Sequence, residues 1–399
     1  MRKVLFYYNF IIFIFLLIFL PGTAFLLNKL FDFNLNDYYN KQLWGIVENL
    51  HKPQINIKNF ISHDIQKYYE QLFTNNLPLR TLTIRLSNQI YYSLFKKSYS
   101  YNNQIVIGKN KQLYEFAYIN NYCWLNGPPF DQAYLLNWAN KLKELNEFFI
   151  RKGKKFIYVI TPSKAEYLPS DIPNRFHCNK HGISPHVKTL EALLSERGIH
   201  YISGPHLMIQ ATKEYKTSMF PRGGTHWNYL AGGVAANAII QTINQLGIPT
   251  LEPLTFNYKL KNPEGTDVDL TELLNLFKAN KNYLVPKLDF KLSSISPVSL
   301  AIVGDSFSDQ FLDAFLKSDV FSKIDFYRYF KFSKTEYKKN SDPLVEDVNI
   351  NSTHVLDSIL AADVVILEEN TLNTMSEHGL LFYSLMSKLA LNTKNTDSV

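Results

Sequence analysis

The stretch Leu300-Ala301-Ile302-Val303-Gly304-Asp305-Ser306-Phe307-Ser308 decides the reading of this chain, together with the helical spacing of Phe311-Leu312-Asp313-Ala314-Phe315-Leu316 behind it. An apolar run, a tight turn and an amphipathic segment spell strand, nucleophile turn and helix. A serine in such a turn sits at the carboxyl edge of a sheet. There the free N–H groups and positive dipole end of the following helix face any developing oxyanion. By itself Gly-Asp-Ser is a short and common tripeptide, so the reading needs a partner base.

His226 supplies the candidate. It stands in Arg222-Gly223-Gly224-Thr225-His226-Trp227-Asn228, just before a segment from Tyr229 to Leu246 in which Ala235, Ala236, Ile239, Ile240, Ile243 and Leu246 recur at helical spacing and Gly247 marks the stop. A histidine in the loop ahead of a helix can serve as a general base to a serine brought to the same sheet edge. Arg222, Trp227 and Tyr229 flank it as candidate substrate contacts, the two aromatic rings as stacking surfaces for a pyranose.

With both pieces in place, the chain resembles the SGNH-hydrolase-like domain of the alginate O-acetyltransferase family, the AlgJ/AlgX type, in which an Asp-x-His-Trp segment precedes a Gly-Asp-Ser nucleophile segment. Tyr69-Glu70-Gln71-Leu72-Phe73 with Leu79-Arg80, Ile105-Val106-Ile107-Gly108-Lys109 with Leu113-Tyr114-Glu115 and Tyr118-Ile119, Val159-Ile160-Thr161-Pro162-Ser163-Lys164-Ala165-Glu166, and Asp269-Leu270 add to the likeness in the family's order. It covers about residues 65–370. The resemblance implies acetylation of an exported polysaccharide, with Ser306 as nucleophile and His226 as base and with no cofactor or metal. It also implies an acetyl donor delivered across the membrane by a membrane-bound O-acyltransferase, and a lysine, Lys164, bordering the site.

One position departs from the family pattern. Two residues before the histidine, where the family has its acid, stands Gly224. Loss of that carboxylate from a serine triad costs on the order of 10⁴ in turnover. Glu368 and Glu369, at the end of the apolar strand Asp363-Val364-Val365-Ile366-Leu367, are candidate replacements because they emerge at the same sheet edge. Asp309, three residues after Ser306, reads as a first-turn acid, and Asp305 as a turn residue. A Ser306–His226 dyad without a third member is the default expectation. Two other readings accompany the transferase: an esterase using the same residues, and a polysaccharide-binding scaffold that has lost turnover with its acid.

The rest of the chain frames this site. Strands at 156–160, 200–202, 300–303, 324–327 and 364–367 alternate with helices at 132–151 and 185–197 and with the His226 helix. That rhythm predicts a three-layer α/β/α fold, SGNH-hydrolase-like and flavodoxin-like, on a mostly parallel sheet. Residues 250–297 lack it and read as an insertion over the active-site edge. The expected organisation is a membrane anchor or signal peptide (1–28), a helical stalk (29–100), the acyltransferase domain (101–391) and a polar tail (392–399).

After Arg2 and Lys3 no charge occurs until Lys29, so Val4–Leu27 is long enough to cross a bilayer. Arg2 and Lys3 favour a cytoplasmic N-terminus, which would put the remainder in the periplasm on an inner-membrane anchor. Gly22-Thr23-Ala24 leaves signal cleavage and secretion as the alternative. The 399 residues carry 42 basic and 35 acidic side chains, a net charge of +7, with 46% apolar and 15% aromatic residues. This is an ordinary globular composition, and no nucleic-acid motif goes with the positive charge. Two cysteines, Cys123 and Cys178, exclude a disulfide scaffold and leave open whether they pair. His177-Cys178-Asn179-Lys180-His181 lacks the second spaced pair of a metal site.

Overall fold

The apolar strands of this chain carry large side chains on both faces, and the sheet they form is covered on both. On successive residues Phe156, Tyr158 and Ile160 enter one core while Ile157 and Val159 enter the other; Ala301 and Val303 against Leu300 and Ile302, and Val365 and Leu367 against Val364 and Ile366, divide in the same way. In chain order the strands are β1 (Ile105–Ile107), β2 (Leu113–Glu115), β3 (Lys155–Thr161), β4 (Tyr201–Ser203), β5 (Phe256–Lys261), β6 (Val285–Phe290), β7 (Ser296–Gly304), β8 (Phe321–Arg328), β9 (Ser333–Lys338), β10 (Leu344–Asp347) and β11 (Val364–Asn370). The computed structural model describes residues 7–12, 14–15, 19, 22–23, 43–45, 51–75, 79–98, 104–127, 130–178, 182–248, 251–293, 296–350 and 352–396.

The central sheet has seven strands in the order β10-β9-β8-β7-β11-β3-β4. Its pairs β8-β7, β7-β11, β11-β3 and β3-β4 are parallel, while β9 and β10 are added antiparallel at one edge. The sheet is therefore mixed. The five parallel strands are those expected from sequence; the antiparallel pair is an addition. Its segments are short and polar, Ser333–Lys338 and Leu344–Asp347, and carry none of the apolar runs that mark a buried strand.

One core holds Met208 and Ala211 of the Gly204–Tyr215 helix, Ala235 and Ile239 of the Tyr229–Gln245 helix, and Phe311 and Phe315 of the Asp309–Ser318 helix. The other holds Trp138 and Leu142 of the Gln132–Arg151 helix, Leu190 and Leu194 of the Pro185–Glu196 helix, and Phe382 of the Glu377–Thr396 helix. This is the three-layer α/β/α arrangement expected from the sequence. The last helix runs on through residue 396, past the point where a polar tail was expected.

Two features bring the sequence-distant loops together. Every strand that feeds the site runs in the same direction, so the ends of β3, β7 and β11 reach one edge. Gly232 lies so close to the Asp309–Ser318 helix that a Cβ there would fall 2.4 Å from the backbone of Gln310. The absent side chain lets the helix after His226 pack tightly on the helix after Ser306.

The segment expected as an irregular insertion contains the antiparallel hairpin of β5 and β6. Phe256, Tyr258, Leu288 and Phe290 press it onto the first core, and Gly233 faces Leu288. Its strands went unread because Pro253, Pro263 and Pro286 interrupt the sequence; Pro286 sits within β6, whose partner covers only one of its edges.

By its contacts the chain divides into two units, residues 104–270 with 281–399, which hold everything above, and residues 1–103 with 271–280. The second contains helices at Ile57–Ile61, Asp64–Asn75 and Arg80–Ile90, where a helical stalk was expected. Most of Val4–Leu27 lies outside the described residues, so the expected anchor does too. Among the described residues no helix is long and apolar enough to cross a membrane.

Candidate active site

Ser306 follows β7 by two residues and opens a single 3₁₀ turn, Ser306–Ser308, that leads into the Asp309–Ser318 helix. The turn is fixed from beneath. Asp305 accepts from the Phe307 N–H through its side chain (2.7 Å) and from the Ser308 N–H through its carbonyl (3.1 Å). Buried Glu368 accepts from the Asp305 N–H (2.9 Å), the Ser308 hydroxyl (2.9 Å) and the Thr161 hydroxyl (2.5 Å). Gly304 leaves room for that carboxylate, since a Cβ there would come within 2.8 Å of it.

His226 Nε2 lies 2.8 Å from Ser306 Oγ, and Nδ1 lies 2.8 Å from Asp269 Oδ2. The other oxygen of Asp269 accepts from the backbone N–H groups of Thr225 (2.9 Å) and Leu270 (2.6 Å), so the carboxylate is held against the ring it faces. The imidazole packs against Phe307, with ring centroids 4.8 Å apart. Burial alone would lower its pKa. The hydrogen bond and charge of Asp269, with smaller contributions from Asp305 and Asp309, outweigh this and hold it above the ordinary histidine value. The Tyr329 hydroxyl donates to Ser306 Oγ at 3.3 Å.

This geometry corrects several expectations. A third residue faces His226, and it is neither glutamate. Glu368 is committed to the nucleophile turn, and Glu369 accepts from Trp138 Nε1, the Tyr158 hydroxyl and the Ser376 hydroxyl and N–H. Both carboxylates are buried. Asp305 caps its own turn, and Asp309 pairs with Arg328 at 2.5 Å.

The reason for Gly224 is steric. A Cβ there would lie 2.3 Å from the Thr266 carbonyl oxygen, so the segment that delivers Asp269 occupies the space of the missing side chain. The carboxylate that faces His226 comes from a neighbouring loop and not from the histidine's own. Tyr283 stitches these loops together, accepting from the Gly223 N–H (3.0 Å) and donating to the Asp267 carbonyl (2.6 Å).

Lys164 is buried and donates to the carbonyls of Pro221 (2.6 Å), Arg222 (2.9 Å) and Gly224 (3.0 Å). It fixes the His226 loop from inside. Burial lowers its pKa to about 7. Trp227 is buried too, its indole N–H donating to Phe307 O (2.9 Å) and Gln310 Oε1 (3.1 Å), so it ties the loops of His226 and Ser306 and offers no stacking face. Tyr229 is half-buried, with the Lys287 ammonium 4.5 Å and the Lys317 ammonium 5.2 Å from its ring centre. Arg222 lies over the Tyr283 ring at 5.5 Å.

Sequence reasoning missed Asp269 as the acid and Tyr329 altogether. Asp269-Leu270 stood among the family-like segments, and an acid opening a short helix in an otherwise polar loop was the available signal. Tyr329 follows β8 with φ of +47°, in the left-handed region that sequence does not announce for a tyrosine.

Residues 128–325 match the family model described as SGNH hydrolase-like domain, acetyltransferase AlgX. Over these residues, just under half of the chain, the sequence is similar to the SGNH hydrolase-like domain of AlgX-type acetyltransferases. Among solved structures, the O-acetyltransferase domain of Pseudomonas putida AlgJ is similar at 18% identity and a TM-score of 0.44, over 68% of this chain and 91% of that one. Pseudomonas aeruginosa AlgX is similar at 15% identity and a TM-score of 0.45, over 67% of this chain and 61% of that one. No curated protein sequence matches the chain.

Proposed function

We propose that this AlgX-type domain transfers an acetyl group to a hydroxyl of an exported polysaccharide through an acyl-enzyme on Ser306. The observation that carries the reading is the relay of two 2.8 Å hydrogen bonds from Asp269 through His226 to the Ser306 hydroxyl. His226 Nε2 takes the Ser306 proton as Oγ attacks the donor's acetyl carbonyl. It returns that proton to the leaving group as the tetrahedral intermediate collapses to acetyl-serine. A sugar hydroxyl then gives its proton to the same nitrogen, attacks the acetyl carbonyl and leaves as the O-acetyl sugar, and the proton goes back to Ser306.

Asp269 keeps the proton of neutral His226 on Nδ1 and stabilises the imidazolium in both halves of the cycle. The Ser306 N–H, at the start of a helical turn, and the Tyr329 hydroxyl are the donors that would hold the oxyanion. No step requires a metal or an organic cofactor.

An esterase would use the same residues, and only the acceptor separates the two readings. The scaffold reading arose from a missing acid, and a carboxylate does face His226. An acetyl donor supplied by a membrane-bound O-acyltransferase is in keeping with AlgX-type domains. The Cys123–Cys178 disulfide, with a Cα–Cα separation of 4.7 Å, supports an oxidising compartment, and the uncharged run after Lys3 supports an inner-membrane anchor with the domain in the periplasm.

The test is incubation of the purified protein with an activated acetyl ester, followed by peptide mass mapping. An acetyl group on Ser306 that disappears when an acceptor glycan is added, with acetylated glycan formed, is the expected result. An adduct lost to water at the same rate with or without glycan indicates an esterase, and no adduct overturns acyl transfer.

A further inference from the structure

The Arg80–Ile90 helix buries polar side chains and exposes apolar ones. In the Arg80–Ile90 helix and the turn after it, Arg85 and Asn88 are buried and donate to the carbonyls of Leu276 and Leu274. Leu86, Ile90 and Leu94 recur every fourth residue on the outside, Leu94 with 71% of its surface exposed. Ile57, Phe60 and Ile61 of the first helix are exposed as well, Phe60 to 62%. Large apolar side chains thus face outward along this segment, and in the Arg80–Ile90 helix two polar ones are used inside.

The charge of this segment is also distinctive. Residues 51–98 contain seven basic residues (Lys52, Lys58, Lys67, Arg80, Arg85, Lys96, Lys97) and two acidic ones (Asp64, Glu70), a net +5 of the chain's +7. Lys96 and Lys97 directly follow Leu94 and Phe95, and both are exposed. Upstream in the same chain lies the uncharged run Val4–Leu27.

We propose that the exposed apolar and basic side chains of residues 51–98, among them Phe60, Ile61, Leu86, Ile90, Leu94, Lys96 and Lys97, dock on an anionic phospholipid bilayer, lying in its headgroup region. Outward leucine, isoleucine and phenylalanine side chains enter the acyl boundary, and the lysines beside them meet lipid phosphates. This rests on the reading of the uncharged run as a membrane anchor, which would hold the same bilayer at high local concentration so that a weak surface suffices. A second copy of this chain fits less well, because two like-charged segments, each presenting Lys96 and Lys97, would be brought face to face. The inference concerns where the chain is held and is independent of the acyl-transfer reading.

The full-length protein is reconstituted into vesicles of phosphatidylethanolamine and phosphatidylglycerol whose acyl chains are brominated, a short-range quencher of tryptophan. Leu94→Trp and, separately, Phe60→Trp place probes on the surface, and Leu316→Trp places one on the other unit; emission is read as the difference from the parent chain. The expected result is that brominated lipid roughly halves the added emission at positions 94 and 60 and leaves position 316 unchanged. Adding Lys96→Gln and Lys97→Gln should reduce that quenching in anionic vesicles, with about tenfold weaker surface engagement. Positions 94 and 60 quenched no more than 316 would overturn the proposal. So would crosslinking between copies through this surface with no lipid quenching. Both substituted side chains are largely exposed, and two independent probe sites guard against a local failure of either.

Discussion

In the proposed transfer His226 acts as a base only if one ring nitrogen carries a proton and the other does not, and Asp269 is the group placed to settle which. Because the carboxylate raises the His226 pKa above 6.5, kcat/KM should rise with pH through a midpoint above that value. In Asp269→Asn the midpoint should drop below that of the parent protein, since burial then acts unopposed; an unchanged pH–rate profile would remove Asp269 from the mechanism. The same shift has a stability sign. Protonated His226 stabilises the fold fully below its ordinary pKa, and that contribution is lost as pH rises through the raised one.

Tyr329→Phe removes one donor at the serine and should lower kcat about 5–10-fold with KM little changed, read from steady-state kinetics. Gly224→Asp restores the family's acid in sequence but not in space. Its side chain meets the Thr266 carbonyl, so stability should fall by about 1–3 kcal/mol with activity, measured by denaturant unfolding alongside turnover. At this scale the sequence announced Ser306 and His226 through their strand–turn–helix contexts. It could not announce the acid. Asp269 is 43 residues from His226 and reaches it through the fold, whereas Gly224 stood at the family position and pointed to a loss.

Among the elements, the loop at 221–226 depends on Lys164. Three carbonyls converge on its ammonium, and only the charged form has three protons to give. Its folded pKa of about 7 lies below the ordinary 10.5, so the native state binds fewer protons between these values and stability rises with pH across that window. Lys164→Met should abolish that rise and strand the three carbonyls, costing about 1–3 kcal/mol in chemical denaturation and lowering kcat/KM with it. A variant with parent stability and parent pH dependence would show that the lysine does not hold the loop. The elements that position this site, the parallel strands and the helices after Ser306 and His226, were legible because burial on both faces leaves continuous apolar runs. The β5–β6 hairpin and the β9–β10 edge were not, since each is polar or proline-broken and is ordered by what it packs on.

For the molecule as a whole, the Cys123–Cys178 bond joins the Phe116–Cys123 helix to the loop before Pro185, closing a span of 55 residues. Its loss should cost about 2–4 kcal/mol, so Cys123→Ser should melt well below the parent, and added reductant should lower the parent's Tm while leaving the variant's unchanged. A reductant-insensitive parent would argue against the bridge as a stabilising tie. Composition and charge foresaw an ordinary core, but pairing of the two cysteines, like the seven-strand order, is a property of the assembled sheet and lies beyond any local pattern.

The central claim is that Asp269, His226 and Ser306 act as one unit. It is tested most directly by the rate at which an activated acetyl ester acetylates Ser306 in the parent protein, His226→Ala and Asp269→Asn. The account predicts an adduct on Ser306 of the parent, formed on the order of 10³–10⁴ times faster than in either variant. An Asp269→Asn protein acetylated on Ser306 at the parent's rate would contradict it.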